Sequence, residues 1–145
     1  MSILLVVAPM LANPLPPVAN STMMTLWDRA QAEGEDLLWR PCDDMGDVIR
    51  CLSCQGDAAA DLILLDIDAD AIAAPDIEPL RHALNACKVP VIEVHDDSRE
   101  GDLARIAPGH ASVVSITVPG DRNAGYGMAL SVGLRYIAQQ RRMAA

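Results

Sequence analysis

Apolar residues in this chain come in short unbroken runs that alternate with stretches of helical spacing. Ile3 to Val7 is such a run, too short for a helix and of the kind buried on both faces of a sheet. Ala8 to Asn20 holds Pro9, Pro14, Pro16 and Pro17 and reads as a loop. Asn20, Ser21 and Thr22 offer an N-cap for a helix from about Met23 to Ala32, stopped by Gly34. A second strand is predicted at Asp36 to Trp39, followed by an acidic loop with Asp43 and Asp44. Val48, Ile49 and Leu52 then predict a helix from Gly46 to about Gln55.

The second half repeats the alternation. Leu62 to Leu65 reads as a buried strand running into Asp66, Asp68 and Asp70. Pro75 and Asp76 precede a helix from about Ile77 to Ala86, and Val91 to Val94 is the fourth strand. A polar loop from Asp96 to about Gly101 and a short helical turn around Leu103 to Ile106 lead to a fifth strand, Ser112 to Val118. Gly120 to Gly125 reads as a turn before a final helix, Tyr126 to Gln140, with Arg141 and Arg142 at the end where the helix dipole favours cations. Five strand–helix alternations without a linker or repeat predict one α/β domain over residues 1–145. Right-handed crossovers make it a three-layer, flavodoxin-like sandwich on a five-stranded parallel sheet.

Composition narrows the function. A chain of 145 residues buries enough surface to stand without staples, and with no Phe and only 3% aromatics its core must be aliphatic. Base stacking is therefore poorly supplied, and a net charge of −9 repels nucleic acid and anionic membranes alike. Cys42, Cys51, Cys54 and Cys87 are too scattered for a secreted disulfide framework. The C-x-x-C of Cys51 and Cys54, within or at the end of a helix, lacks the second pair or nearby histidine of a zinc site. Free thiols in a cytoplasmic protein are expected. No Lys or Arg precedes Arg29 and prolines interrupt the apolar start, so neither a signal peptide nor a membrane span is expected there.

Chemistry concentrates in Val89-Pro90-Val91-Ile92-Glu93-Val94-His95. Period two puts Glu93 and His95 on one face near the carboxyl end of a strand, the end of a parallel sheet where ligands bind. Position alone leaves two readings level: a proton-transfer pair, or a histidine that caps the strand and bonds a neighbouring loop.

That strand resembles the I-P-V-I-E-V-H strand of the type II 3-dehydroquinate dehydratases. Leu80-Arg81-His82-Ala83-Leu84 is similar to that family's L-R-D-A-L, Ile106-Ala107-Pro108 to its I-S-P, and Gly125-Tyr126-Gly127-Met128-Ala129-Leu130 to its G-Y-x-x-A-L. Ile3-Leu4-Leu5-Val6-Val7-Ala8-Pro9-Met10-Leu11 resembles the opening I-L-V-I-N-G-P-N-L. Nearly the whole chain is covered, the second half more closely.

The resemblance implies trans-elimination of water from 3-dehydroquinate through an enolate, with no cofactor and no metal. A tyrosine activated by an arginine removes a proton, an asparagine holds a water at the enolate, and a histidine protonates the leaving hydroxyl. His95 falls at the general-acid position and Glu93 at that of its orienting partner. The resemblance further implies a small-molecule ligand, a cyclic polyol acid, and a homo-oligomer, trimer or dodecamer. Met23, Met24 and Trp27 as surface-apolar residues are compatible with assembly.

Other family positions differ. Met10 to Asn20 stands where the family has N-x-L-G-x-R-x-x-x-Y-G and contains neither Arg nor Tyr. Tyr126 and Tyr136 fall on helix positions that are structural in the family. Asp66-Ile67-Asp68-Ala69-Asp70 replaces N-P-G-A-x-T-H-T-S, with Asp66 at the asparagine position, and His82 replaces the aspartate of L-R-D-A-L. Asp96, Asp97 and Ser98 replace an S-N cradle, and Arg99 or Arg105 stands nearest the lid arginines, with a surface role for both equally open. Asp66, Asp68 and Asp70, three carboxylates where the family binds a carboxylated substrate, would repel it.

Two leading functions follow: a hydro-lyase with His95 as acid, or a diverged, repurposed paralogue that keeps the scaffold and a binding pocket. Loss of a general base removes on the order of 10²–10⁴-fold in rate, which favours the second. Third stands a receiver-like signalling domain, suggested by Asp61-Leu62-Ile63-Leu64-Leu65-Asp66, although no acidic pair follows the first strand and no lysine the fifth. Asp66, Asp68 and Asp70 lack the glycine and distal glutamate of a calcium loop and read as solvated. His82 and His110 read as surface residues.

Overall fold

Leu62, Ile63, Leu64 and Leu65 are all fully buried, as a strand must be when helices cover both faces of its sheet. The structure, a computed structural model, describes residues 2–7, 20–42, 44–53, 60–67, 72–87, 89–95, 106 and 112–144. In chain order these form β1 (Ser2–Val7), α1 (Asn20–Ala32), β2 (Asp36–Pro41), α2 (Met45–Leu52) and β3 (Leu62–Asp66). Then come α3 (Ala74–Ala86), β4 (Val91–His95), β5 (Ser112–Thr117) and α4 (Arg122–Ala144). The strands lie parallel in the order β2-β1-β3-β4-β5. This order reverses direction between β1 and β3, where Val7 pairs with Asp66 at the carboxyl edge.

Side-chain parity along the strands sorts the core into two layers. Ile63 and Leu65 of β3 and Val91 of β4 pack with Met45, Val48 and Leu52 of α2 and Leu80, Ala83 and Leu84 of α3. Leu62 and Leu64, with Ile92 and Val94, pack on the other face with Leu26 and Ala30 of α1 and Tyr126, Ala129, Leu130 and Ile137 of α4. Helix α4 comes so close to the sheet at Gly133 that an added Cβ would lie 2.4 Å from Leu62 Cδ2.

Helix limits depart from those predicted wherever capping chemistry outweighs periodicity. Helix α1 begins at Asn20, so Ser21 and Thr22 form its first turn, where Thr25 Oγ1 donates to the Ser21 carbonyl at 2.9 Å. Its end is closed by Gly34 at φ 76°. Helix α2 starts on Asp44, whose Oδ1 accepts from Asp47 N at 2.8 Å, and stops at Leu52, short of the predicted Gln55. Pro75 lies inside the first turn of α3, where a missing N–H costs nothing, so that helix begins at Ala74 rather than Ile77. Asp121 caps α4 by accepting from Ala124 N at 3.0 Å, which makes helix of residues 122–125 where a turn is predicted.

Candidate functional site

Strand β4 carries the candidate site at its carboxyl end. Ile92 and Val94 face α1 and α4, so Glu93 and His95, in phase with Val91, face the α2/α3 side. Leu65 and Ser115 flank Glu93 in the sheet, and Thr117 lies beside His95. Both polar side chains are nearly inaccessible, Glu93 at 4% and His95 at 2%. His95 Nε2 stands 3.6 Å from Glu93 Oε1, within ion-pair reach but longer than a hydrogen bond. A carboxylate so placed balances the charge of the ring when it is protonated.

The backbone at this end is fixed from within the sheet and from the opposite face. Val118 N donates to the His95 carbonyl at 3.1 Å. Gly125 lies against the same strand, where a Cβ would approach Val94 Cγ1 to 3.1 Å. The G-Y-x-x-A-L segment thus begins with a residue that lets α4 close over the end of β4.

Asp66 is placed differently from the site predicted for it. In phase with Leu62 and Leu64, its carboxylate turns to the α4 side, where Tyr126 Oη donates to Oδ2. Acid and phenol are both buried, at 5% and 0% exposure. The sheet therefore separates Asp66 from the Glu93–His95 pair. The pairing joins residues 60 positions apart, and no local pattern announces it.

Other expected residues spread over the fold. His82 is exposed on α3, while the neighbouring Arg81 donates through Nε to the Ile106 carbonyl at 2.6 Å and ties α3 to that segment. Met24 and Trp27 are exposed, but Met23 packs against the α1/α4 layer. Asp68, Asp70, Asp96, Asp97, Ser98, Arg99, Arg105 and His110 lie outside the described residues, as does the Pro9–Ala19 part of the first loop. Among the described residues no group of three His, Cys, Asp or Glu side chains could hold a metal ion, and no helix is long and apolar enough to cross a membrane.

A cavity of about 350 Å³ opens between the first turns of α1 and α4, lined by polar groups that include Thr22, Thr25, Arg29, Asp121 and Asn123. Arg29 is held there by the Gly127 carbonyl at 3.1 Å and by Ser131 Oγ. This cavity belongs to the α1/α4 side and does not include Glu93 or His95.

No protein-family model matches the chain, and no curated protein does. Solved structures do. A 3-dehydroquinate dehydratase-like protein from Bifidobacterium longum is 18% identical over 94% of this chain and 97% of its own, with a TM-score of 0.64. The type II dehydroquinase from Propionibacterium acnes is 18% identical over 92% of this chain and 98% of its own, with a TM-score of 0.63. That from Butyrivibrio crossotus is 19% identical over 93% and 97%, with a TM-score of 0.64. With a parallel sheet in the order β2-β1-β3-β4-β5 and helices on both faces, this chain has the fold of the type II dehydroquinases.

Proposed function

We propose that this protein is a single-domain, divergent type II dehydroquinase-like protein that binds a small hydroxylated acid beside Glu93 and His95 and has left the family's dehydration reaction. The observation that carries this reading is the buried Glu93–His95 pair, on one face at the carboxyl end of β4, in a chain of that fold. A general acid with its orienting carboxylate is kept, while the sequence from Met10 to Asn20 supplies no tyrosine and no arginine to remove a proton. Asp96, Asp97, Ser98 and Arg105 are the ligand contacts proposed beyond β4. Asp66 supports the helix packing instead.

A cytoplasmic homo-oligomer, trimer or dodecamer, is part of the same proposal, supported by Met24 and Trp27 at 68% and 50% exposure on α1. Light scattering on the purified protein tests it. A receiver-like role loses its support, because the Asp66 carboxylate is turned to the α4 face and engaged there by Tyr126 Oη.

The test is a dehydratase assay on 3-dehydroquinate, following enone absorbance, beside calorimetric titration with quinate. The expected result is no turnover by folded protein, with quinate binding that His95→Ala weakens at least tenfold. Turnover abolished by His95→Ala would overturn the loss of chemistry and establish the hydro-lyase, with its base supplied by a neighbouring subunit. Binding that ignores His95 would remove the site altogether.

A further inference from the structure

Helices α1 and α4 pack on the same face of the sheet, and their first turns enclose the cavity of about 350 Å³. Its lining carries both signs of charge. Arg29 comes from α1 and Asp121 from the N-cap of α4, with Leu26 and Ala124 as apolar lining and Thr25 and Asn123 as neutral polar groups. The half-buried Arg29 guanidinium is fixed against α4, where Nη1 donates to the Gly127 carbonyl at 3.1 Å and Nη2 to Ser131 Oγ. Ser131 Oγ in turn donates to the same carbonyl at 3.0 Å, so the anchor is a closed triangle. A guanidinium has five N–H donors in a rigid plane, of which these bonds use two. Among the described residues no carboxylate pairs with Arg29.

Asp121 is the acceptor side. Its Oδ1 takes the N-capping bond from Ala124 N at 3.0 Å, which leaves Oδ2 as an acceptor. Thr25 Oγ1 spends its proton on the Ser21 carbonyl at 2.9 Å and can only accept from a ligand. The volume lies at the small end of ligand sites, which run from roughly 300 to 1,000 Å³. An inorganic anion would meet the Asp121 carboxylate, and a simple cation would meet Arg29. A molecule with both charges satisfies both walls.

Spacing decides which zwitterion fits. Gly127, whose carbonyl anchors Arg29, lies six residues beyond Asp121, or about 9 Å along the helix axis. One hydrogen bond of about 2.9 Å at each end leaves roughly 3 Å between the two charges of the ligand. An α-amino acid, whose ammonium and carboxylate share one carbon, has that spacing, whereas a zwitterion with its charges at the ends of a chain does not. We propose that the α1/α4 cavity binds a small aliphatic α-amino acid, with its carboxylate on Arg29, its ammonium on Asp121 Oδ2 and its side chain against Leu26 and Ala124. The site is separated by the sheet from Glu93 and His95 and does not rest on their role.

The experiment titrates the ¹⁵N-labelled full chain with L-leucine at pH 7 and follows its amide resonances. Saturable shifts are expected at Thr25, Arg29, Asn123 and Gly127, with a Kd on the order of 1 mM. Two analogues that each keep one charge, 4-methylpentanoate and 3-methylbutylamine, should bind at least about tenfold more weakly, since each lacks one charged hydrogen bond. Arg29→Gln and Asp121→Asn should each weaken L-leucine by a similar factor of about ten, and asparagine keeps the N-cap of α4. The analogues need no variant, so the comparison stands even where a substitution disturbs folding. Absence of saturable shifts at these four amides overturns the proposal. So does either analogue binding as tightly as L-leucine, or an affinity that neither folded variant changes.

Discussion

Asp66 and Glu93 occupy comparable places, each near the carboxyl end of a central strand and each about as buried as the other, at 5% and 4% exposure. They lead to different structures because they are out of phase. Glu93 faces the α2/α3 layer and finds an imidazole two residues along its own strand, whereas Asp66 faces α4 and finds a phenol 60 residues later. The first pair forms with β4 itself. The second exists only once α4 has docked. A polar residue at the ligand-binding end of a parallel sheet is therefore no guide to its role until its phase is known.

The largest test of this contrast is Gly133→Val. With an added Cβ already 2.4 Å from Leu62 Cδ2 and 3.6 Å from Ile92 Cδ1, valine should force α4 away from β3. The expected loss is about 3 kcal/mol by urea unfolding, the upper part of the range for overpacked cores. Amide exchange should accelerate around Tyr126, while the His95 ring resonances keep their positions. Simultaneous change at both would mean that the two faces are not independent.

Tyr126→Phe removes a donor from a buried carboxylate without changing the apolar fill of the layer. A loss of roughly 1–3 kcal/mol is expected, with quinate affinity unchanged. A fall in affinity would place Asp66 in the ligand site after all. Glu93→Gln keeps shape and burial but removes the charge, and should weaken quinate binding by about tenfold, or 1.4 kcal/mol. Isothermal titration distinguishes this from a purely structural pair, for which affinity would not move.

Smaller effects belong to the periphery. The iodoacetamide rate of Cys51 should follow a thiolate that is present above about pH 7 and lost as pH falls through that value. In Cys42→Ala the same profile should move to higher pH, since the Cys42 side chain is the main influence holding the Cys51 thiol down. Arg50→Gln breaks an exposed pair with Asp47 one helical turn away and should change stability by less than about 0.5 kcal/mol.

Alternation of short apolar runs with helical spacing made the α/β class readable, because burial on both faces leaves an unbroken apolar run such as Leu62 to Leu65. Cap positions were less readable: Asp121 and Asp44 work through hydrogen bonds to backbone N–H groups three residues on, which hydrophobic periodicity does not register. The common face of Glu93 and His95 was legible, since period two depends only on covalent neighbours. The same rule set Asp66 out of phase with them through Leu65 and Glu93, but using it required the register between β3 and β4.

What the sequence determined by itself is therefore what neighbours along the chain decide: the strands and helices, the aliphatic core, and the Glu93–His95 pair. The tertiary structure alone decided which helix covers which face and that Tyr126 meets Asp66. These contacts depend on close packing between distant segments, as at Gly133 against Leu62, and packing of that kind leaves no period in the chain.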